Sequence, residues 1–293
     1  MIARLFAPLA TSRGAFGLTD DAAVVSPPRG HELVVTADAL VAGVHFFADD
    51  PPELIARKAL RVNLSDLAAK GAKPLFYLMT LALPHNVRYD WLKAFARGLA
   101  KDQREFGLSL LGGDTTATPG PLTISITAFG SVPKGRMLRR KGARPGDLVY
   151  VSGTIGDAGE GLALLRRKRT APKKFIDRYR LPMPRLALGL ALRGMASAAL
   201  DVSDGLLADL GHIAEVSNVR IAVEAGRIPV SRGVDPVRAA VAGDDYEIAF
   251  TAHKPVALAG VTRIGRVERG RGVVLLDAAG EEIAVKRKGF AHF

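Results

Sequence analysis

The 293-residue sequence contains no cysteine, and several other features are scarce. Without cysteine, a disulfide framework, a thiolate zinc site and a thiol nucleophile are all excluded. Aromatic residues make up only 6% of the chain. No apolar run reaches the roughly 18 residues of a membrane-spanning helix. Arg4 and Pro8 interrupt the N-terminus before the apolar core of a signal peptide can form. We therefore expect a cytoplasmic protein without a membrane partner.

Two common phosphate-binding signatures are also missing. The chain has no GxxxxGK[ST] loop and neither an HRD nor a DFG pattern, which excludes a P-loop enzyme and a protein kinase. No histidine cluster has the spacing of a zinc or iron site. Any phosphate chemistry must therefore use a different arrangement.

The net charge of +12 is concentrated in two segments. Residues 134–144 carry six basic groups and no acid, and residues 166–180 carry eight basic groups and one acid. The rest of the chain is therefore close to neutral. Neither segment interleaves aromatic residues, as a stacking platform for nucleic acid does. We interpret both as solvated basic loops and expect no nucleic-acid partner.

The alternating strands and helices fit an α+β or α/β protein of two domains, and the length allows about 150 residues for each. The basic loop at 134–146 is the predicted boundary, which gives domains 1–140 and 141–293. Strands are predicted at 31–38, 74–83, 108–114, 122–130, 144–153, 219–224, 246–251, 261–267 and 272–276, and helices at 51–71, 89–107, 156–166, 185–194 and 204–217.

Aspartates in apolar or glycine-lined surroundings are the most informative feature. They are Asp20 and Asp21 in GLTDDAAVV, Asp38 in VVTADALVAG, Asp66 in VNLSDLAA, Asp114 in LLGGDTT, and Asp201 and Asp204 in ALDVSDGLLADL. A buried anion needs a partner, and basic residues are scarce beside these aspartates in sequence. Hard divalent cations take oxygen ligands, so we predict Mg²⁺. Taken singly, Asp20 or Asp21 could instead occupy a turn, and Asp204 could cap a helix.

Glycine-rich turns accompany these carboxylates. LLGGDTT places two glycines at a strand end, where backbone N–H groups can approach a phosphate. VSGTIGDAGEG at 151–161 is a strand-to-helix turn that could bind an anion or could only allow tight packing. Together, the aspartates and glycines indicate a site that gathers metal ions around phosphates.

The motifs GAFGLTDDAAVV, TADALVAGVHF, ARKALRVNLSDLAAKGA, LLGGDTT, DVSDGLLADLGHI and GDDYEIAF, in this order, resemble thiamine-monophosphate kinase. The ending KGFAHF is similar to that family's C-terminus. The resemblance covers nearly the whole chain and implies ATP-dependent conversion of thiamine monophosphate to thiamine diphosphate. It also implies the two-domain α+β fold of aminoimidazole ribonucleotide synthetase. In that fold an N-terminal sheet domain forms a homodimer, and a C-terminal α/β sandwich domain completes the active site.

The resemblance also assigns roles to residues. It implies Mg²⁺ ligation by Asp21, Thr36, Asp38, Asp66, Asp114, Asp201 and Asp204; ATP binding by Gly113, Asp114, Arg140 and Ser203; and contact with thiamine phosphate by His45, Asp244 and Phe290. Three positions depart from the family pattern. Ala37 stands where a Thr is usual, Asp244 where a Glu is common, and Phe290 where a Tyr or Trp is frequent. We expect Asp209 and His212 to be structural.

The acceptor phosphate needs no general base, because a phosphate monoester with a second pKa of about 6 is already largely ionised near neutral pH. Charge neutralisation and in-line positioning are what phosphoryl transfer requires. We therefore predict no catalytic base and no phosphoenzyme intermediate. Two alternatives remain at this point: another ATP-dependent enzyme of the same fold, and a basic RNA-binding protein. A selenophosphate synthetase is disfavoured because its usual N-terminal cysteine or selenocysteine is absent.

Overall fold

The computed structural model describes residues 1–167, 172–286 and 288–290. The chain divides into two compact units. The first comprises Met1–Leu67 and Ala72–Gly135, and the second comprises Ala68–Gly71 and Arg136–Phe293. No helix in the described ranges is both long enough and apolar enough to cross a membrane.

The first unit is a four-stranded sheet with two long helices. Its elements are α1 (Ile2–Leu5), 3₁₀ turns at Ala7–Leu9 and Arg13–Leu18, β1 (His31–Val41), α2 (Pro52–Ala69), β2 (Lys73–Pro84), α3 (Tyr89–Phe106), β3 (Ser109–Thr118) and β4 (Thr123–Pro133). The strand order is β1-β4-β2-β3. Strands β2 and β3 are parallel, since α3 connects them, and the other pairs are antiparallel.

The two long helices of this unit form for different reasons. Helix α3 is amphipathic, with Leu92, Phe95 and Leu99 on its buried side. It ends at Gly107, whose φ of 70° belongs to the left-handed region that glycine adopts at low cost. Helix α2 is buried along almost its whole length, including two arginines. Paired acidic groups on α3 offset the desolvation of those charges.

The second unit contains a six-stranded sheet in the order β10-β7-β9-β5-β8-β6. Its elements are β5 (Leu148–Ser152), α4 (Asp157–Arg166), α5 (Lys173–Arg180), α6 (Leu186–Ala191), β6 (Ala198–Asp201), α7 (Leu206–Ser217), β7 (Arg220–Glu224), a 3₁₀ turn at Ala225–Arg227, α8 (Pro236–Ala239), β8 (Ile248–Ala252), β9 (Val261–Glu268) and β10 (Gly272–Leu276). The pairs are antiparallel except β10 with β7.

The central strand β5 shows why this sheet is stable. Val149 and Val151 pack into one cluster with the apolar side of α7, whereas Tyr150 lies in a second cluster on the opposite face and stacks on Phe250. Both faces of the sheet are therefore covered, which explains the near-continuous apolar runs of its strands.

The predicted solvated loop at residues 166–180 is wrong over its described C-terminal part. Residues Lys173–Arg180 form helix α5, and Tyr179 is buried. Arg178 donates to Glu247, whose side chain is fully buried. Residues 168–171, within the predicted loop, and 291–293, within the matched ending KGFAHF, lie outside the described residues. Strand β6 was not among the predicted strands.

Candidate active site

Three of the predicted site residues, together with Asp20, line one cavity in the first unit. Asp20, Asp21, Gly113 and Asp114 border a space of about 410 Å³ that is also lined by apolar side chains such as Met79. The three carboxylates are exposed. The backbone N–H of Thr115 donates to Asp114 Oδ1 over 2.7 Å, which orients that side chain.

Gly113 is required at its position by a close approach of the backbone. A Cβ atom there would lie 1.7 Å from the carbonyl oxygen of Met79 on the neighbouring strand. No side chain fits at that distance, so the strand can take this path only with glycine. The exposed backbone of Gly113 therefore stays accessible at the cavity wall beside Asp114.

A second group of predicted ligands lies where β1 faces α2. Thr36 Oγ1 donates to Asp66 Oδ2 over 2.5 Å, and Asn63 Oδ1 on the same helix accepts from the backbone N–H of Asp38 over 3.2 Å. Asp66 is half-buried in a helix whose neighbouring positions are buried. These bonds tie a strand and a helix together at the predicted metal ligands, so the oxygens are held on rigid elements.

The sheet register separates these two groups. Asp38 pairs with Ile126 on β4, Ile126 pairs with Met79 on β2, and Met79 pairs with Gly113 on β3. Three strand spacings of about 4.8 Å place Asp38 and Gly113 on the order of 14 Å apart along one row of the sheet. One cation cannot contact ligands at both ends of that row.

His45 is held by its own backbone neighbourhood after β1. Its Nδ1 accepts a hydrogen bond from the Val41 N–H over 3.0 Å, and Nζ of the buried Lys58 donates to its carbonyl oxygen over 2.9 Å. Because Nδ1 is an acceptor, the neutral ring carries its proton on Nε2. The imidazole can therefore present an N–H donor to an anionic ligand.

In the second unit, the predicted metal and ATP ligands cluster in the loop after β6. Asp201 ends that strand and is buried, and Ser203 and Asp204 follow, both half-buried. Oδ2 of Asp209, on the first turn of α7, accepts hydrogen bonds from the N–H groups of Ser203, Asp204 and Gly205. Residues 202–205 connect β6 to α7, and we refer to them as the 202–205 loop.

The predicted thiamine-binding residues of this unit are attached to the same loop. The N–H of Asp244 donates to the carbonyl of Ser203 over 2.8 Å, and the N–H of Phe290 donates to the carbonyl of Asp204 over 2.9 Å. Asp244 and Tyr246 have positive φ values of 67° and 51°. The backbone around Asp245 is therefore strained and is held by its contacts.

Three side chains near this loop approach one another closely. Ligand atoms of Asp204, Asp209 and His212 all lie within 4.8 Å of one another. The pKa of Asp209 is raised to about 7, chiefly by burial and also by the Asp204 carboxylate, while the three N–H donors oppose the rise. Arg140, another predicted ATP ligand, lies in the segment before β5 and is exposed.

Sequence reasoning overlooked the buried carboxylates beside Asp244. Asp245 is fully buried and accepts from the N–H groups of Gly156 and Ala158 at the start of α4. The pKa of Asp245 is raised to about 8, because the effect of burial outweighs the lowering by those two donors and the nearby Arg178. Glu247 is also fully buried. Of the three acids in GDDYE, Asp245 and Glu247 are fully buried and Asp244 is half-buried, a difference that no local pattern reveals.

The donor chemistry of the first unit suits magnesium. The ligand atoms that Asp21, Thr36, Asp38, Asp66 and Asp114 offer are all oxygen. No lysine or arginine in the described part of this unit forms an ion pair with Asp20, Asp21, Asp66 or Asp114. Carboxylates without a basic partner, of which Asp66 is half-buried, fit a divalent cation.

Comparison with known proteins identifies the family. Residues 19–132 match the N-terminal domain of AIR synthase related proteins, and residues 144–287 match the C-terminal domain. The thiamine-monophosphate kinase of Caulobacter vibrioides is 43% identical, with 99% of this chain and 89% of the relative covered. That of Escherichia coli K12 is 40% identical, with 100% and 97% covered. The chain belongs to the thiamine-monophosphate kinase family.

Solved structures of thiamine-monophosphate kinases share this fold. The enzyme of Stenotrophomonas maltophilia K279a matches with a TM-score of 0.81 and 42% identity, covering 91% of each chain. The complex of AaThiL with AMPPCP and TMP matches with a TM-score of 0.84 and 32% identity, covering 96% of this chain and 97% of that one. These full-length relatives support thiamine-monophosphate kinase activity over the two alternatives, another ATP-dependent enzyme of the same fold and an RNA-binding protein.

Likeness to the hydrogenase maturation protein HypE concerns the fold alone. Its complex with ATP matches with a TM-score of 0.80 at 21% identity. The two family-model matches and the fold shared with solved thiamine-monophosphate kinases confirm the predicted two-domain α+β architecture of aminoimidazole ribonucleotide synthetase.

Proposed function

We propose that this chain phosphorylates thiamine monophosphate to thiamine diphosphate with ATP, by direct in-line transfer assisted by several Mg²⁺ ions. The observation that carries the proposal is family membership over the full length, together with oxygen ligands at the matched positions. The solved relative that binds AMPPCP and TMP together supports a site that takes a nucleotide and thiamine monophosphate at the same time.

The Mg²⁺ ions would be held by Asp21, Thr36, Asp38, Asp66 and Asp114 in the first unit and by Asp201 and Asp204 in the second. When bound, they neutralise the phosphate charge that otherwise opposes the approach of two anions. The separation of about 14 Å between Asp38 and Gly113 along the sheet supports more than one ion. The protein's own part is to hold these oxygens on β1, α2 and β3 at fixed separations.

The nucleotide would be bound by Gly113, Asp114, Arg140 and Ser203. Gly113 offers exposed backbone at the cavity wall, where a side chain cannot fit. The exposed guanidinium of Arg140 supplies positive charge for the triphosphate. These residues bind and orient ATP, and none of them exchanges a proton with it.

Thiamine monophosphate would be bound by His45, Asp244 and Phe290. The Nε2–H of His45 suits a phosphate oxygen, because Nδ1 already accepts from Val41. The side chain of Phe290 is 54% exposed and can offer its ring face to the cationic thiazolium. The acceptor phosphate is already ionised, so none of these residues needs to act as a base.

The domain roles follow from the same assignment. We assign residues 1–140 to metal and ATP binding and to dimer formation, and residues 141–293 to completion of the active site. One face of the first unit's sheet supports the homodimer. Val35, Ala37 and Ala39 are exposed there, and their β4 partners are half-buried. Sedimentation of the full chain at twice the monomer mass would support this assignment, and a monomer would contradict it.

A coupled assay tests the function directly. The full chain is supplied with ATP, Mg²⁺ and thiamine monophosphate, and thiamine diphosphate is measured. Formation of thiamine diphosphate that needs all three components is the expected result. Steeply salt-dependent RNA binding without ATP turnover would instead support a nucleic-acid function.

A further inference from the structure

Asp209 occupies an unusual place beneath the 202–205 loop. Asp209 is 3% exposed, and its single oxygen Oδ2 accepts hydrogen bonds from the N–H groups of Ser203, Asp204 and Gly205 at 3.0, 3.1 and 3.1 Å. Three consecutive backbone donors therefore converge on one buried acceptor. The direction of these three N–H bonds defines the path of the loop.

Two carbonyl groups of the same loop accept hydrogen bonds from predicted thiamine-binding residues. Ser203 accepts from Asp244 and Asp204 accepts from Phe290. The approach is tight on both sides: a Cβ at Gly243 would lie 2.5 Å from the Ser203 carbonyl, and one at Gly289 would lie 2.6 Å from the Asp204 carbonyl. The loop thus connects residues assigned to ATP and metal with residues assigned to thiamine monophosphate.

Loss of the Asp209 carboxylate would leave buried N–H donors unpaired. The loop would then rearrange to find other acceptors, and Gly205, at a φ of 134°, has wide conformational freedom to do so. Any rearrangement moves the Ser203 and Asp204 side chains and also shifts the carbonyls that hold Asp244 and Phe290. Both substrate sides are therefore disturbed by one change.

We propose that Asp209 is a positioning residue that preorders the 202–205 loop and, through it, sets the placement of both substrates. This rests on the proposed function. The competing interpretation is an ordinary cap at the start of α7, in which the three hydrogen bonds contribute only to stability. The two interpretations differ in kinetics, because a cap alone changes the amount of folded protein and not its turnover.

The kinetic test uses the full chain as wild type, Asp209→Ala, Asp209→Asn and the matched control Glu215→Gln. Glu215 is an exposed carboxylate on the same helix. We expect Asp209→Ala to lower kcat at least about tenfold and to raise KM for both ATP and thiamine monophosphate. Asp209→Asn keeps an acceptor oxygen and recovers most of kcat, and Glu215→Gln matches wild type.

Unchanged kinetics would overturn the proposal. If folded Asp209→Ala keeps kcat and both KM values within about twofold of wild type, with only its melting temperature lowered, Asp209 is a cap and nothing more. A failure of Asp209→Asn to improve on Asp209→Ala would also contradict it, because the acceptor oxygen would then be irrelevant.

Hydrogen exchange on the wild type keeps the proposal testable even if Asp209→Ala fails to fold. The amides of Ser203, Asp204 and Gly205 should be protected without substrates, to about the level of the first turn of α7. Free exchange until ATP and thiamine monophosphate are added would overturn the idea of a preordered loop. Wild-type turnover is measured in the same series: its absence counts against the proposed function, whereas the exchange result tests only the loop.

Discussion

The two units hold their predicted metal ligands in different ways. In the first unit, Thr36 and Asp38 lie on a strand and Asp66 on a buried helix, so regular secondary structure sets their positions. In the second unit, Ser203 and Asp204 lie on a loop that depends on the buried side chain of Asp209. A ligand on a rigid element can be replaced without moving its neighbours, whereas a change beneath a loop moves everything that the loop carries.

Replacing Asp66 tests the rigid half of this comparison and should have the largest effect. Asp66→Asn preserves size and helix propensity but removes one charge from the predicted metal ligands. We expect kcat to fall by at least about a hundredfold, with the circular dichroism spectrum and melting temperature close to those of wild type. The control is Asp90→Asn, an exposed carboxylate on α3. Full activity per folded molecule in Asp66→Asn would show that this aspartate is structural.

Truncating Phe290 tests whether the second unit contacts thiamine. Phe290→Ala removes an exposed ring but keeps the N–H that donates to Asp204. Loss of a cation–π contact and some burial, about 1–2 kcal/mol, should raise KM for thiamine monophosphate roughly 5–30-fold. KM for ATP should change little. Tyr89→Ala, at an exposed aromatic of the first unit, serves as the control. A rise confined to KM for ATP would refute the assignment.

The buried Asp245 should make the stability of the protein depend on pH. Its pKa is raised to about 8 by burial, well above the ordinary value of a carboxyl in an unfolded chain. The protonated side chain therefore favours the folded state, and this stabilisation declines as pH rises from about 4 through 8. Asp245→Asn mimics the protonated form at every pH. Its melting temperature relative to wild type should be higher at pH 9 than at pH 6, and a constant difference between them would contradict the assigned protonation.

Charged residues outside both groups of predicted metal ligands should have the smallest effect on stability and activity. Arg166 and Arg167 are exposed at the end of α4, and we expect neutralising them to change stability and the activation free energy by no more than about 0.5 kcal/mol. The neighbouring Lys168 and Arg169 lie outside the described residues, and the same result is expected for the whole RRKR segment. A collapse of kcat/KM in Arg166→Gln with Arg167→Gln would show that this segment binds substrate.

Much of the fold could be predicted because periodicity and turn residues report on local structure. Helix α3 shows this, since its buried residues recur at helical spacing and Gly107 ends it. Helix α5 was overlooked because its many basic residues suggested solvent exposure, although Phe175, Ile176 and Tyr179 have the spacing of one helix face. Arg178 of this helix pairs with Glu247, which lies 69 residues further along the chain, and no local pattern reveals such a pairing.

For the candidate site, the sequence could point to individual carboxylates but not to their surroundings. The register that places Asp38 and Gly113 in one row depends on strand pairing across the sheet. The role of Asp209 depends on its burial beneath a loop, and its signal in sequence is only an acid four residues after Gly205. Residue type indicated the chemistry, whereas only the tertiary structure shows that Asp209 accepts hydrogen bonds from the backbone.

The central claim is direct transfer of the γ-phosphoryl group from ATP to thiamine monophosphate. A single-turnover experiment with ATP labelled at the γ-phosphate, quenched at successive times, tests it most directly. We expect label to pass from ATP to thiamine diphosphate at the rate of turnover, with none bound covalently to the protein at any time. Label that appears first on the chain and then moves to thiamine diphosphate, or that is released only as inorganic phosphate, would contradict it.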